Sequence, residues 1–306
     1  MRRTDGMPII SIGAALIALV LAAHVPEAAA EQARTLFERE SEYNHVIVQQ
    51  EGNERILHFR RRSVDYRETV VDTRQPLRLI AEWTRLMMAG LMFVQQPRRV
   101  LMIGLGGGLV TRVMAHHYPD CTFDNVELDP AVVEAAQRFF YFTPGPRMRV
   151  HVRDGRIFLR QSRDRYDIII LDAYRGGYIP FHLKTREFLE LVRNHLAPGG
   201  VVISNLHHGT RLYDADRVTY AAVFSQSYAF VGREDSNVIL VSHVGTSRLT
   251  REQLEQTAAR LQRERQFGFD LPALMRHYQE RPDYDRSARV LTDDHAPVES
   301  LNENGR

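Results

Sequence analysis

From Arg98 to Val113 the chain runs R-R-V-L-M-I-G-L-G-G-G-L-V-T-R-V, and from Asp124 to Pro130 it runs D-N-V-E-L-D-P. Val100 to Ile103 is a short apolar run of the kind that fills a parallel strand buried on both faces. Gly104, Gly106, Gly107 and Gly108 then let the backbone turn sharply and approach a ligand that side chains would keep away. A helix follows, and the next strand closes on Glu127, a carboxylate able to accept both hydroxyl hydrogens of a ribose. The pattern is a βαβ unit of an α/β fold built to bind a nucleoside.

The nucleoside is not a dinucleotide by this reading. G-x-G-x-x-G would need a third glycine where Leu109 stands, and no G-K-[ST] follows the glycines. After a third strand, Met148 to Val152, comes R-D-G-R, in which Asp154 can accept from an adenine amino group. After a fourth, Asp167 to Leu171, comes Asp172 in L-D-A-Y, at the carboxyl edge where open α/β sheets place ligands. The plainer reading is that each acid only caps the helix after it. A glycine turn and three acids on successive strand ends carry more weight together than singly.

Composition agrees with a globular protein: 306 residues, 44% hydrophobic, 25% charged. Lys+Arg at 40 against Asp+Glu at 38 leaves a formal charge of +2 and no long basic run, so nucleic acid is not an expected partner. Arg2 and Arg3, an apolar stretch from Pro8 to Val25 and Pro26 to Ala30 form a signal peptide over residues 1–30, with cleavage expected after Ala30. The expected location is therefore periplasmic or secreted; if the leader stays uncleaved, it becomes a membrane anchor. Cys121 is the only cysteine, so no internal disulfide forms, and it is expected as a small buried residue.

Within 31–96, the runs Asn44 to Gln49 and Arg55 to Phe59 flank Gly52-Asn53 and predict a β-hairpin. Leu77, Ile80, Trp83, Leu86, Met87 and Leu91 recur at helical spacing and predict a helix over 76–93, with Trp83 in the core. Residues 97–245 form the nucleoside-binding domain. Its later strands are expected at Val201 to Asn205, Ala229 to Val231 and Asn237 to Val244, the last antiparallel after the short Gly232–Ser236 connection. Residues 246–306 are expected as a helical tail, with a solvated helix over 250–264 and Asp293, Asp294 and His295 docked beside the sheet. No metal site is expected: His116-His117 and His207-His208 are adjacent pairs that cannot face one ion together, and H-E-x-x-H and C-x-x-C are absent. G-x-S-x-G is absent too, which argues against a serine hydrolase.

In their order along the chain, S-E-Y-N-H-V-I-V, I-G-L-G-G-G, V-E-L-D-P, R-D-G-R, Y-D-I-I-I-L-D-A-Y, I-P-F-H-L, T-R-E-F-L-E-L-V-R-N-H-L-A-P-G-G and L-T-D-D-H-A-P-V-E resemble the spermidine synthase (polyamine aminopropyltransferase) family, in its divergent bacterial branch. The resemblance implies a Rossmann-like class I methyltransferase sheet, mostly parallel with the last strand antiparallel, beside a small N-terminal β-hairpin domain. It implies a sulfonium nucleoside as co-substrate, decarboxylated S-adenosylmethionine or S-adenosylmethionine itself. Asn44, Gly104, Gly106 and Gly107 would line the nucleoside site, Glu127 would hold the ribose and Asp154 the adenine. Asp172 falls at the catalytic acid, as general base for an attacking amine.

Two departures stand out. The family has an Asp at the position of Gly107, contacting the aminopropyl amine, and a second acid in the active loop where this chain has Arg175. Tyr174, Tyr178 and His182 are the remaining candidates for the acceptor, a small amine or other small molecule. Three functions stay open: aminopropyl transfer, S-adenosylmethionine-dependent methyl transfer with Arg175 or Arg112 on the methionine carboxylate, and a non-catalytic exported binder of nucleosides or polyamines. A homodimer is an open option for the assembly.

Overall fold

The structure, a computed structural model, describes residues 33–295. The expected leader at 1–30 and the end of the final motif lie outside the described residues.

The predicted hairpin is present and is the centre of something larger. β2 (His45–Glu51) and β3 (Glu54–Arg61) pair antiparallel across the two-residue turn Gly52-Asn53, with Glu51 opposite Glu54. β1 (Arg34–Glu40) and β4 (Val64–Asp72) flank them, so the hairpin is the middle of a four-stranded antiparallel sheet. Val46, Val48, Leu57, Phe59 and Val71 on one of its faces are buried in the largest apolar cluster.

The second sheet holds eight strands. β5 (Arg99–Ile103), β6 (Thr122–Glu127), β7 (Met148–Val152), β8 (Tyr166–Leu171) and β9 (Leu196–His207) run parallel in the order β9-β8-β5-β6-β7. Their side chains alternate between two apolar layers: Val100, Met102, Ile168 and Ile170 face one, and Leu101, Ile103, Ile169 and Leu171 the other. Burial on both faces is why β5 and β8 carry unbroken apolar runs. β11 (Asn237–His243) pairs antiparallel with β9 and with β10 (Gln226–Val231), as the short connection between β10 and β11 requires. Helices α2 (Leu109–His117), α3 (Pro130–Phe139), α4 (Gly155–Gln161), α5 (Arg186–Asn194) and α6 (Tyr213–Val223) make the connections. The fold is the mixed α/β sheet expected, joined to an antiparallel N-terminal sheet. Cys121 is buried just before β6, where burial pushes its thiol up to about 12.

Two segments differ from expectation. The helix predicted over 76–93 shortens to α1 (Glu82–Met87) and a 3-10 turn, Met88–Met92. The carbonyls that would start it are taken by guanidinium groups: Arg112 donates to the Pro76 oxygen at 3.1 Å, and Arg85 donates to those of Leu79 and Ile80. Beyond Gly245, α7 (Arg251–Arg265) buries a narrow stripe, Leu254, Ala258 and Leu261, in the main core, so it is solvated on its other faces only. The tail also adds β12 (Tyr278–Gln279) to the sheet edge beside β10.

Candidate active site

β5 has β8 on one side and β6 on the other, so the order of connections reverses there and a cleft opens at the carboxyl ends of these strands. Gly104, Gly106, Glu127, Asp154 and Asp172 all line that cleft, together with Asn44, Tyr174 and His182. The parallel ladder sets their relative positions: the Asp172 N–H donates to the Ile103 oxygen at 2.9 Å, and the Gly104 N–H to the Val126 oxygen at 2.9 Å. Gly104 has φ of 93°, and a Cβ there would stand 2.3 Å from the Asp172 carbonyl oxygen. Only glycine lets the turn and the acid come this close.

Glu127 is held rigidly at the wall of the cleft. Its carboxylate accepts from the Leu105 N–H at 2.9 Å and the Asp129 N–H at 3.0 Å, which fixes its plane and leaves lone pairs toward the cleft. Burial raises its pKa, and these amides partly offset the shift. Asp129 caps α3 through the Ala131 N–H and accepts from Ser41 Oγ at 2.6 Å and Asn44 Nδ2 at 3.1 Å. The turn before β2 is thereby tied to the Glu127 side of the cleft.

Asp154 fulfils the plainer reading and lines the cleft as well. One oxygen caps α4 through the Ile157 N–H at 2.9 Å; the other meets His182 Nε2 at 2.8 Å. Burial pushes its pKa up, but His182 and the amides of Ile157 and Arg156 outweigh this and leave it below the ordinary range.

Asp172 borders the cleft with few polar partners. Burial lifts its pKa to about 7 against a single opposing hydrogen bond, from Asn205 Nδ2 to Oδ1 at 2.9 Å. Asn205 is itself oriented by Asn237, whose Nδ2 donates to Asn205 Oδ1 at 2.7 Å. The Tyr174 hydroxyl donates to the Asn205 carbonyl oxygen at 3.2 Å. A carboxyl titrating near neutrality inside a cleft suits a general base.

The largest addition to the predicted set is Glu68. In the β3–β4 ladder Leu57 faces Thr69 and His58 faces Arg67, so Glu68 is the extra residue of a β-bulge. Such a residue escapes the ladder and re-aims its side chain. Glu68 lines the cleft and, with Trp83, Asp172 and Tyr174, a second pocket that continues past Asp172 to Asn205 and Asn237. Burial, then the charges of Asp172 and Glu127, push its pKa up to about 8. Trp83 is half-buried, resting on the core while it lines both pockets, so the core reading covered one side of it. Three successive polar residues, Arg67 to Thr69, break the alternation of β4 and were the available signal for Glu68.

Two of the predicted contacts fall elsewhere. Gly107 is turned under β4: its N–H donates to Thr69 Oγ1 at 2.9 Å, and a Cβ there would lie 2.7 Å from Thr69 Cγ2. Tyr178 is buried beneath the Arg61 guanidinium, 4.5 Å from its ring centre, and lines a separate shallow cleft. The cause is the left-handed turn at Gly176 and Gly177, closed by the Arg175 N–H donating to the Tyr178 oxygen at 2.8 Å. Arg175 itself donates from Nε to the Tyr43 oxygen at 2.9 Å.

A glycine turn, a buried acid at Glu127 and a near-neutral carboxyl at the ends of strands of one sheet fit a transferase of the class I methyltransferase-like fold. Residues 81–238 match the spermine/spermidine synthase domain. The polyamine aminopropyltransferase of Vibrio vulnificus is 36% identical over 279 residues, covering 88% of this chain and 92% of that protein. A probable spermidine synthase from Corynebacterium glutamicum shares the fold, with a TM-score of 0.63 and 21% identity over 83% of this chain and 98% of its own. Human methyltransferase-like protein 13, solved in complex with SAH, aligns with a TM-score of 0.55 and 28% identity over 66% of this chain and 96% of its own. The chain belongs to the spermine/spermidine synthase family.

Proposed function

We propose that this chain transfers an aminopropyl group from decarboxylated S-adenosylmethionine to a small amine, with Asp172 as general base. Glu127 takes the ribose hydroxyls and the rim at Asp154 and His182 takes the adenine, which directs the sulfonium toward Asp172. The amine nitrogen forms a bond to the propyl carbon next to sulfur as the C–S bond breaks. The sulfur keeps the electron pair and leaves as methylthioadenosine, and the nitrogen's proton passes to Asp172. A positioned base of this kind contributes about 10²- to 10⁴-fold. Alignment in a desolvated cleft supplies much of the rest.

The observation that carries this reading is the carboxyl of Asp172, lifted to about 7 and held by Asn205 in the same cleft as Glu127. The likeness to the human methyltransferase-like protein favours a second reading, methyl transfer from S-adenosylmethionine. That donor carries a carboxylate that needs a cation. Arg175 is engaged by the Tyr43 carbonyl and Arg112 by that of Pro76, with Arg112 also over the Tyr141 ring. Arg153 and Arg175 also line the cleft, but Glu68, Glu127 and Asp172 act on one another and make their part of it acidic. The lining of the cleft therefore supports aminopropyl transfer.

Mass spectrometry of the nucleoside product tests it, with the protein lacking residues before Glu31, both donors and a panel of amines. Methylthioadenosine formed only when an amine is present is the expected result. S-adenosylhomocysteine would establish the methyl-transfer reading in its place, and binding of donors without either product would make the chain a binder.

A further inference from the structure

We propose that Glu68 selects the donor: its carboxylate takes the terminal ammonium of the aminopropyl arm and disfavours donors that keep a carboxylate there. The inference rests on the aminopropyl-transfer reading and adds to it the residue that makes the choice.

Four observations carry it. First, β4 lies directly on the glycine turn, since Thr69 Oγ1 accepts from the Gly107 N–H at 2.9 Å. An acid growing from the turn at 107 has no room, because its Cβ would lie 2.7 Å from Thr69 Cγ2. Second, the bulge opposite Leu57 and His58 takes Glu68, the neighbour of Thr69, out of the ladder and into the cleft. Third, Glu68 lines both the nucleoside cleft and the pocket beyond Asp172, so it stands at the junction where the reactive arm must pass. Trp83 lines the same junction, and its indole suits an alkyl chain with a cationic end.

Fourth, the charges around Glu68 are of one sign. Asp172 and Glu127 are the charged groups that act on it, and both are acids. Arg67, the residue before it, is exposed and pairs with Glu54 at 3.5 Å. A donor arm with a sulfonium at one end and an ammonium at the other matches this field. An arm that adds a carboxylate meets three acids instead, and like charges brought together away from bulk water repel strongly.

The test is isothermal titration of the wild-type chain, Glu68→Gln and Glu68→Ala with decarboxylated S-adenosylmethionine, S-adenosylmethionine and methylthioadenosine, which has no arm. The wild type is expected to prefer the decarboxylated donor. Both variants should weaken that donor by about tenfold or more, narrow its preference over S-adenosylmethionine, and leave methylthioadenosine affinity within about twofold. If the preference survives in both variants, Glu68 is not the selector, although aminopropyl transfer can still stand on methylthioadenosine release by the wild type. If methylthioadenosine affinity falls as far as donor affinity, Glu68 supports the cleft rather than reading the arm. A wild type that turns over only S-adenosylmethionine overturns the inference and the underlying reading together.

Discussion

Replacing Asp172 with Asn removes the proposed base while keeping the shape of the side chain, and it should move activity and stability in opposite directions. An ordinary Asp titrates at 3.8; burial lifts Asp172 to about 7 in the native cleft. A carboxyl whose native pKa lies above its unfolded value stabilises the fold fully only below the unfolded value, and that contribution disappears as pH rises through about 7. At about 1.4 kcal/mol per pH unit the ceiling is ~4 kcal/mol once the group is fully ionised. Asp172 borders an open cleft, where water screens part of the charge, so about 2 kcal/mol is the working figure. For a chain of this size that corresponds to roughly 5 °C in melting temperature. Asn at 172 can still accept from Asn205 Nδ2. Melting curves of both proteins should nearly coincide at pH 4.5 and separate by pH 8.5, with Asp172→Asn the more stable. Turnover should fall by about 10²- to 10⁴-fold with methylthioadenosine affinity little changed. A variant that is no more stable than wild type at pH 8.5 would refute the burial argument, and one with unchanged turnover would remove Asp172 as base.

Asn205→Ala deletes the hydrogen bond that opposes the upward shift of Asp172. Its acid limb in a profile of kcat/KM against pH should move up by about one unit, where a merely structural defect would lower the profile without moving it. Asp293→Ala breaks the paired hydrogen bonds with Arg156 and the contact from Thr185 Oγ1 at 2.7 Å that dock the C-terminal segment. It should cost about 1–3 kcal/mol near pH 7, because Arg156 is left with a nearly buried guanidinium. The Arg156 guanidinium holds the Asp293 carboxyl below its ordinary range, so the difference from wild type in thermal melts should fade only as pH drops through that lowered pKa, under 3.8. If the leader is cut as its residues suggest, N-terminal sequencing of the exported protein begins at Glu31; a start at Met1 in a membrane fraction would favour the anchor.

The parts of the fold that were legible are those whose reason is local. Gly52-Asn53 between alternating runs specifies a hairpin, and the runs at Val100 and Ile168 are apolar throughout because both faces are covered. The acids at 127, 154 and 172 were legible because each stands at or just past the carboxyl end of a strand of the parallel sheet. What was not legible depends on contacts between distant residues. Glu68 enters the cleft only because the pairing of β3 with β4 slips by one residue between Leu57 and His58. Residues 76–81 have a helical apolar spacing, yet Arg112, from another element, competes for their carbonyls. β12 is two residues long, too short for periodicity to mark it. Gly107 belonged to the right turn but does not line the cleft, because Thr69 covers it.

The measurement that tests the account most directly is a crystal structure of this chain with methylthioadenosine and a diamine. The expected result is ribose hydroxyls on Glu127, the nucleoside sulfur facing the junction of Asp172 and Glu68, and an amine nitrogen within hydrogen-bond distance of Asp172. A nucleoside bound away from Glu127, or an amine with no path to Asp172, would contradict it.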